Sequence, residues 1–222
     1  MGKYDALIDN YSDDYYKAIA HGQLLEEWDN TEKVIAYLDK YYIPREEYEN
    51  VWKPKQETIF MNIKKFLPEM MFQPGYIIHP AEGGCLFMEE DFLLFQKGLQ
   101  NLGEKQFVVI EQESWLRPQY EERLNLKFPV SISWHDMLTG GVYISDTLCN
   151  DPYMQFFLFG ENTGWGMYVD NDYDLYPIIL LGTNAECEEA FTDYYNLPFP
   201  RKENYIYGGI PKIYFEKGQL KI

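Results

Sequence analysis

The spacing of apolar residues changes from a helical to a strand period along this chain of 222 residues. From Leu24 to Tyr42, apolar side chains recur at helical spacing with carboxylates on the other side, and Pro44 stops the run. The stretch from Tyr4 to Ala20 precedes it as a partner helix. Glu57 to Phe66 predicts a third helix, stopped by Pro68. The first third of the chain is therefore predicted to be helical.

Another helix is predicted from Met88 to Leu102, with carboxylates in its first turn, where negative charge complements the helix dipole. A strand follows directly at Phe107–Ile110. A short helix is then predicted to begin at Ser133, which caps it together with Asp136, and to close at Gly140-Gly141. The buried stripe of the first of these helices consists of Phe92, Phe95, Leu99 and Leu102.

Strand-like runs follow one another at hairpin spacing in the second half of the chain. They lie at 142–145, 153–159, 165–169 and 176–181, with a short acidic helix at 185–195 and a last strand at 212–215. Gly160 to Gly164 predicts a hairpin loop. Helices first and strands later predict an α+β fold with helices on one face of an antiparallel sheet. We expect one domain over 1–222, with a helical N-terminal third at 1–70 and a mixed part at 71–222.

The charge is strongly negative, because 19 Lys and Arg face 36 Asp and Glu, which gives a formal net charge of −17. Binding to nucleic acids or to anionic membranes requires basic surfaces, so this balance argues against both. Aromatic residues make up 18% of the chain, too many for a disordered acidic segment. The composition favours a folded protein with a basic protein partner and no cofactor.

The ends of the chain and its cysteines bear on location. The N-terminus lacks the apolar segment of a secretory signal, and no apolar stretch is long enough to span a membrane. Cys85, Cys149 and Cys187 are an odd, widely spaced set, which is more typical of reduced thiols than of disulfides. We expect a cytoplasmic protein.

One acidic loop invites a calcium interpretation. Asp170, Asp172 and Asp174 alternate as in the first half of an EF-hand loop. The required Gly and Glu are missing, since Leu175 and Leu181 stand at those positions. We therefore predict no metal site, with an acidic turn and a protein-binding loop as the remaining interpretations.

Catalytic patterns are sparse, and we predict no catalytic residue and no enzyme. The alternative is a hydrolase that uses a carboxylate pair, Glu111 and Glu113, which share one side of a strand. A Cys85 thiol activated by His79 or His135 is the other form of that alternative. Neither pattern matches a known catalytic motif.

Tyrosines next to carboxylates are the more informative feature. Tyr supplies a large contact area and is enriched at interfaces, and neighbouring carboxylates suit a Lys- and Arg-rich partner. The alternatives are that these tyrosines line the rim of the core, or that the protein pairs with itself. The predicted partner-binding residues are Asp170, Asp172, Tyr173, Asp174 and Tyr176, with a second patch at Asp13, Asp14, Tyr15 and Tyr16.

Residues 87 to 195 resemble immunity-protein-like families that accompany polymorphic or contact-dependent bacterial toxins, particularly in Bacteroidetes. The segments that carry the resemblance are Phe107–Glu111, Phe128–Trp134, Phe156–Gly160, Trp165–Val169 and Tyr176–Gly182. The resemblance implies a protein that uses an acidic surface to bind and block a cognate toxin domain, often a basic nuclease. It implies inhibition by occlusion and carries no catalytic residue with it.

Overall fold

The computed structural model describes residues 3–4, 7, 31–82, 88–112, 123–138, 155–170, 178–196, 214 and 216–220. Within these residues, a six-stranded antiparallel sheet lies between two apolar layers, and a small two-stranded sheet accompanies it. Most of the helical residues come from the N-terminal and middle parts of the chain. The α+β fold predicted from the sequence is confirmed.

The described helices are α1 (Thr31–Tyr41), α2 (Arg45–Glu47), α3 (Lys53–Ile59), α4 (Glu89–Asn101), α5 (Trp134–Leu138) and α6 (Thr192–Tyr195). A π-helical segment, Tyr48–Trp52, joins α2 to α3, and a 3₁₀ turn, Glu188–Phe191, leads into α6. The described strands are β1 (Phe60–Met61), β2 (Met71–Phe72), β3 (Ile77–Glu82), β4 (Gln106–Glu111), β5 (Asn125–Pro129), β6 (Gln155–Gly160), β7 (Trp165–Asp170) and β8 (Ile178–Thr183).

The large sheet has the strand order β3-β8-β7-β6-β4-β5, and every neighbouring pair is antiparallel. All positions of β6, β7 and β8 are buried. A sheet with one solvent-exposed face would show buried and exposed residues in alternation. Continuous burial therefore means that both faces are covered. The predicted hairpin loop at Gly160 to Gly164 is confirmed, since it connects the paired strands β6 and β7.

One face of the sheet, called the α4 face here, packs against the Phe92, Phe95 and Leu99 side chains of α4. The Phe95 ring meets Phe107 edge-on at 5.7 Å and Trp165 at 5.5 Å between centroids. The helices α1, α5 and α6 contribute to the same apolar cluster. This face confirms the buried α4 stripe that the sequence predicts at these three positions.

The opposite face, called the β1–β2 face here, is covered by the small sheet and by Trp52 from the π-helical segment. The ring of Phe60 lies 4.8 Å from the rings of both Phe72 and Phe157. Because Ile59 of α3 also belongs to this cluster, helical residues lie on both sides of the sheet. The expectation that helices cover only one face was wrong, and the apolar side chains on both sides of the strands explain why.

The predicted third helix was also wrong in its bounds. Helix α3 ends at Ile59, and Phe60 begins strand β1 instead of extending the helix to Phe66. Pairing with Phe72 and burial of the Phe60 ring decide the backbone there, so tertiary packing overrides local helix propensity. Pro54 is tolerated inside the helical run because it lies in the first turn of α3.

The sequence did not predict strands β3 and β5, which form the two edges of the sheet. Both carry residues with poor strand propensity, such as Pro80 and Asn125, and an edge position tolerates a proline that cannot donate to a neighbour. The predicted strand at 212–215 was wrong at Tyr214, which adopts a helical conformation, whereas Leu220 bridges to Ile78.

The cap at Ser133 and the acidic helix at 185–195 both lie in the described residues. The cap at Ser133 is confirmed, because its Oγ accepts a hydrogen bond from the Asp136 N–H at 2.9 Å. The acidic helix predicted at 185–195 is present only from Glu188, first as a 3₁₀ turn and then as α6. The predictions at 8–20, 140–141 and 142–145 lie outside the described residues.

Candidate functional site

Polar side chains occupy adjacent positions on three neighbouring strands at one end of the sheet. Gln112 follows β4, Gln155 begins β6 and Asp170 ends β7. The Gln112 N–H donates to the Gln155 carbonyl at 2.9 Å, and Gln155 is the register partner of Asp170. Alternation along the strands places these residues on the β1–β2 face. We call Gln112, Gln155 and Asp170 the polar row.

The polar row is buried, with 2%, 6% and 4% exposure in chain order. The Tyr168 hydroxyl donates to Gln112 Oε1 at 2.7 Å, and the Gln155 amide donates to Asp170 Oδ1 at 3.2 Å. Gln112 Nε2 also donates to the Ile63 carbonyl at 3.3 Å. Gln155 Oε1 is buried and has no hydrogen-bond partner among the described residues.

Asp170 was predicted to lie in an exposed acidic loop that contacts a partner. The structure places it instead as the last residue of β7, where its buried carboxylate accepts a hydrogen bond within the sheet. A buried carboxylate at this depth offers no surface to a docking protein. The other predicted partner-binding residues, Asp172, Tyr173, Asp174, Tyr176, Asp13, Asp14, Tyr15 and Tyr16, lie outside the described residues.

Glu111 lies at the same end of the sheet but on the α4 face, because it has the parity of Phe107 and Val109. Its Oε2 accepts the Leu124 N–H at 2.8 Å, and Arg123 Nη1 lies 3.9 Å from its Oε1. The sheet therefore separates Glu111 from Asp170. Glu113, its predicted catalytic partner, lies outside the described residues.

The histidines and cysteines of the hydrolase alternative are dispersed. His79 is buried on β3, with its ring stacked on Tyr195 at 3.4 Å between centroids, whereas His135 is exposed on α5. Cys85 lies outside the described residues. Cys187 is buried, and that burial raises the pKa of its thiol, which keeps it protonated at neutral pH. In the described part of the chain, no group of three or more His, Cys, Asp or Glu is placed to hold a metal ion.

A third buried carboxylate, Glu104, lies at the opposite end of the sheet, under the β6–β7 hairpin. It accepts hydrogen bonds from the Asn162 N–H at 2.9 Å, the Glu161 N–H at 3.3 Å and the Trp165 indole N–H at 2.9 Å. A side chain at Gly160 would overlap this carboxylate, so glycine is required by close approach. Glu104 therefore fixes the hairpin and has no open side for a ligand.

One exposed surface was not predicted from the sequence. It consists of Met88, Glu89, Glu90 and Leu93, and we call it the α4 ridge. Met88 is 63% exposed and Leu93 is 53% exposed, although both are large apolar residues. Glu89 and Glu90 are exposed beside them. The signal was present in the sequence, because Leu93 directly follows the buried Phe92 and therefore points about 100° away from the buried stripe.

The surroundings of the α4 ridge are acidic. Lys97, one turn further along α4, is paired with Asp193 of α6 at 2.6 Å. Burial, followed by the neighbouring Glu90, raises the pKa of Asp91. Glu89, Glu90 and Asp91 follow one another in the first turn of α4, so the exposed Met88 and Leu93 side chains lie next to negative charge.

No described helix is both long and apolar enough to cross a membrane. Comparison with known proteins gives no relatives: no family matches the sequence, and no curated protein and no solved structure matches it.

Proposed function

We propose that this protein is an acidic protein-binding module, an immunity protein that neutralises a bacterial toxin by occluding its basic active-site surface. The observation that carries the proposal is the division of the carboxylates between interior and surface. Glu104, Glu111 and Asp170 are buried and each accepts an internal hydrogen bond. Other carboxylates of the described residues, among them Glu46, Glu57, Glu89 and Glu90, are exposed, and the whole chain has a formal net charge of −17.

The mechanism follows from that surface charge. A negative field attracts a cationic partner and speeds encounter, and apolar or aromatic side chains then supply the contacts that slow dissociation. Occlusion needs no chemistry, because a bound protein excludes the substrate from the partner's active site. The resemblance of residues 87 to 195 to immunity-protein-like families points to the same function.

The hydrolase alternative gains no support from the described residues. A carboxylate pair for glycoside hydrolysis must flank one bond at about 5 to 10 Å, with an open face for the substrate. Glu111 is only 5% exposed and faces Leu124 and Arg123, while Asp170 lies across the sheet from it.

The proposal is tested by capturing the partner and measuring inhibition. The immobilised full chain is exposed to lysate of the source bacterium and to its secreted proteins, and bound proteins are identified by mass spectrometry. The expected partner is a basic toxin domain, and an equimolar amount of this protein should abolish its activity. A captured protein whose activity is unaffected at saturation would contradict the proposal.

The acidic loop is tested with the purified partner. We expect Asp172→Lys with Asp174→Lys to slow association about tenfold at low salt, because both changes weaken electrostatic steering. Glu46→Lys with Glu57→Lys makes the same charge change in exposed helical positions and serves as the matched control. Asp170 is left unchanged, because lysine there would bury an unpaired charge. An equal loss in both variants would remove the loop from the interface.

A further inference from the structure

We propose that the α4 ridge is a docking surface for a cationic amphipathic segment of the partner, in which apolar side chains cover Met88 and Leu93 while Lys or Arg side chains pair with Glu89 and Glu90. This inference rests on the proposed function and names the surface that carries it. The ridge lies in the described part of the chain, unlike the acidic loop.

The helix presents the ridge rigidly. The side chains of Phe92, Phe95 and Leu99 are fully buried and fix α4 on the sheet. Gln96 anchors one flank, since its amide donates to the carbonyls of Val130 at 2.6 Å and Ile132 at 2.7 Å. A rigid helix loses little conformational freedom on binding, which favours affinity.

Few large apolar side chains of the described residues are as exposed as Met88 and Leu93. Apart from Met88 and Leu93, Val51 is the one large apolar side chain among the described residues that is similarly exposed, at 42%. Single exposed apolar residues need no explanation. Leu93, however, follows Glu90 by three residues and Glu89 by four, so both exposed carboxylates lie beside it on the helix surface, in the arrangement of an apolar centre with a polar rim.

Charge decides which occupant fits. A second copy of the chain in a two-fold contact would bring Glu89 and Glu90 against the same residues of the other copy, which is repulsive. Lys97, one turn beyond Leu93 on α4, is already paired with Asp193. Glu89 and Glu90 form no ion pair with another described residue, so a cationic segment is the complementary occupant.

Tyr194 of α6 lies behind α4 in the core, with its ring 6.4 Å from that of Phe95. Burial, followed by the Asp91 carboxylate, raises the pKa of Tyr194, and its buried hydroxyl has no hydrogen-bond partner among the described residues.

The test uses two synthetic peptides as probes, an amphipathic helix of Lys and Leu and a Lys and Ser peptide of the same charge. Binding to the full chain is measured by calorimetry at low and physiological salt, and the contact surface is mapped by amide NMR shifts. We expect the Lys and Leu peptide to bind and to shift α4 resonances. Leu93→Gln should weaken its binding about tenfold, because the lost apolar contact is comparable to one buried leucine.

Charge reversal at the ridge is compared with reversal elsewhere. Glu89→Lys with Glu90→Lys should weaken the Lys and Leu peptide at least tenfold and flatten its salt dependence. The control, Glu46→Lys with Glu57→Lys, should change binding less than about twofold, because those exposed residues belong to α2 and α3. Equal losses in both variants would show attraction by net charge alone and would overturn the ridge proposal.

Four further outcomes would overturn it. Peptide shifts centred on residues 170–176 would move the docking site away from α4 and leave the proposed function standing. Self-association of the free chain that Leu93→Gln abolishes, or a loss of more than about 1 kcal/mol of unfolding free energy in that variant, would show that copies of the chain or its own residues cover the ridge. Absence of saturable binding of either peptide up to about 1 mM would count against both the ridge and a cationic partner.

Discussion

The two ends of the large sheet bury carboxylates in different ways. At the hairpin end, Glu104 accepts three N–H groups, two of them from the backbone of a single loop. At the other end, Gln155 donates to Asp170 and Tyr168 donates to Gln112. Gln155 Oε1 receives no hydrogen bond from a described residue. The chain segments next to Gln112, Gln155 and Asp170 lie outside the described residues, whereas the hairpin is described completely.

The two ends differ in how many hydrogen bonds their buried acceptors receive. A carboxylate with three donors is a structural element, because removing it leaves all three donors unsatisfied. An acceptor without a donor costs free energy and contributes nothing to the sheet. We therefore expect the hairpin end to depend much more strongly on its carboxylate than the polar-row end depends on its glutamine.

The largest expected effect is at Glu104. We expect Glu104→Ala to lower the free energy of unfolding by about 2–4 kcal/mol, because it leaves two part-buried backbone N–H groups and the buried Trp165 indole N–H without their acceptor. Urea unfolding followed by tryptophan fluorescence measures it. Lys105→Ala, at the next and exposed position, is the control and should change stability by less than about 0.5 kcal/mol. A loss below 1 kcal/mol for Glu104→Ala would contradict the expectation that the hairpin end depends strongly on this carboxylate.

A smaller effect is expected at the polar row. Gln155→Met loses the hydrogen bond to Asp170 but also removes the unpartnered buried oxygen, so the two contributions oppose each other. We expect a net change within about 1 kcal/mol in the same urea experiment. Gln112→Met is the matched variant, since Gln112 both donates and accepts, and it should cost clearly more. Equal losses would mean that the Gln155 oxygen is in fact satisfied.

The smallest effect concerns the surface of the hairpin end. The hydrogen bond from Lys55 lowers the pKa of Glu161, so Glu161 adds stability above its ordinary pKa and loses it as the pH falls through the lowered value. We expect Lys55→Met to raise this pKa and to cost less than about 0.5 kcal/mol at pH 7, with no difference in strong acid, because the side chain of Glu161 is half exposed. Carboxylate NMR titration measures it, with Lys105→Met as the control. An unchanged Glu161 midpoint would show that the ion pair does not form in solution.

Much of the fold could be predicted from local sequence patterns. Four strands of the sheet, the buried stripe of α4, the hairpin at Gly160 to Gly164 and the cap at Ser133 were all predicted from neighbouring residues. These features depend on periodicity, turn chemistry and capping within a few residues, which the chain specifies directly. The edge strands β3 and β5 lacked such signals, because their residues become strands through pairing with β8 and β4.

The candidate sites were less accessible to prediction. Asp170 looks like a loop residue beside Asp172 and Asp174, and only the pairing of β7 with β6 and β8 buries it. Leu93 looks like one more apolar residue of α4, and only the orientation of the helix on the sheet exposes it. Both depend on contacts between residues far apart in the chain.

The amino-acid order by itself determined an acidic chain with helices followed by hairpin-linked strands, since charge and period are local properties. Only the tertiary structure decided that apolar layers cover both faces of the sheet, that Asp170 lies inside and that Leu93 lies outside. The physical reason is that burial is the outcome of packing among distant segments, and no window of neighbouring residues contains that information.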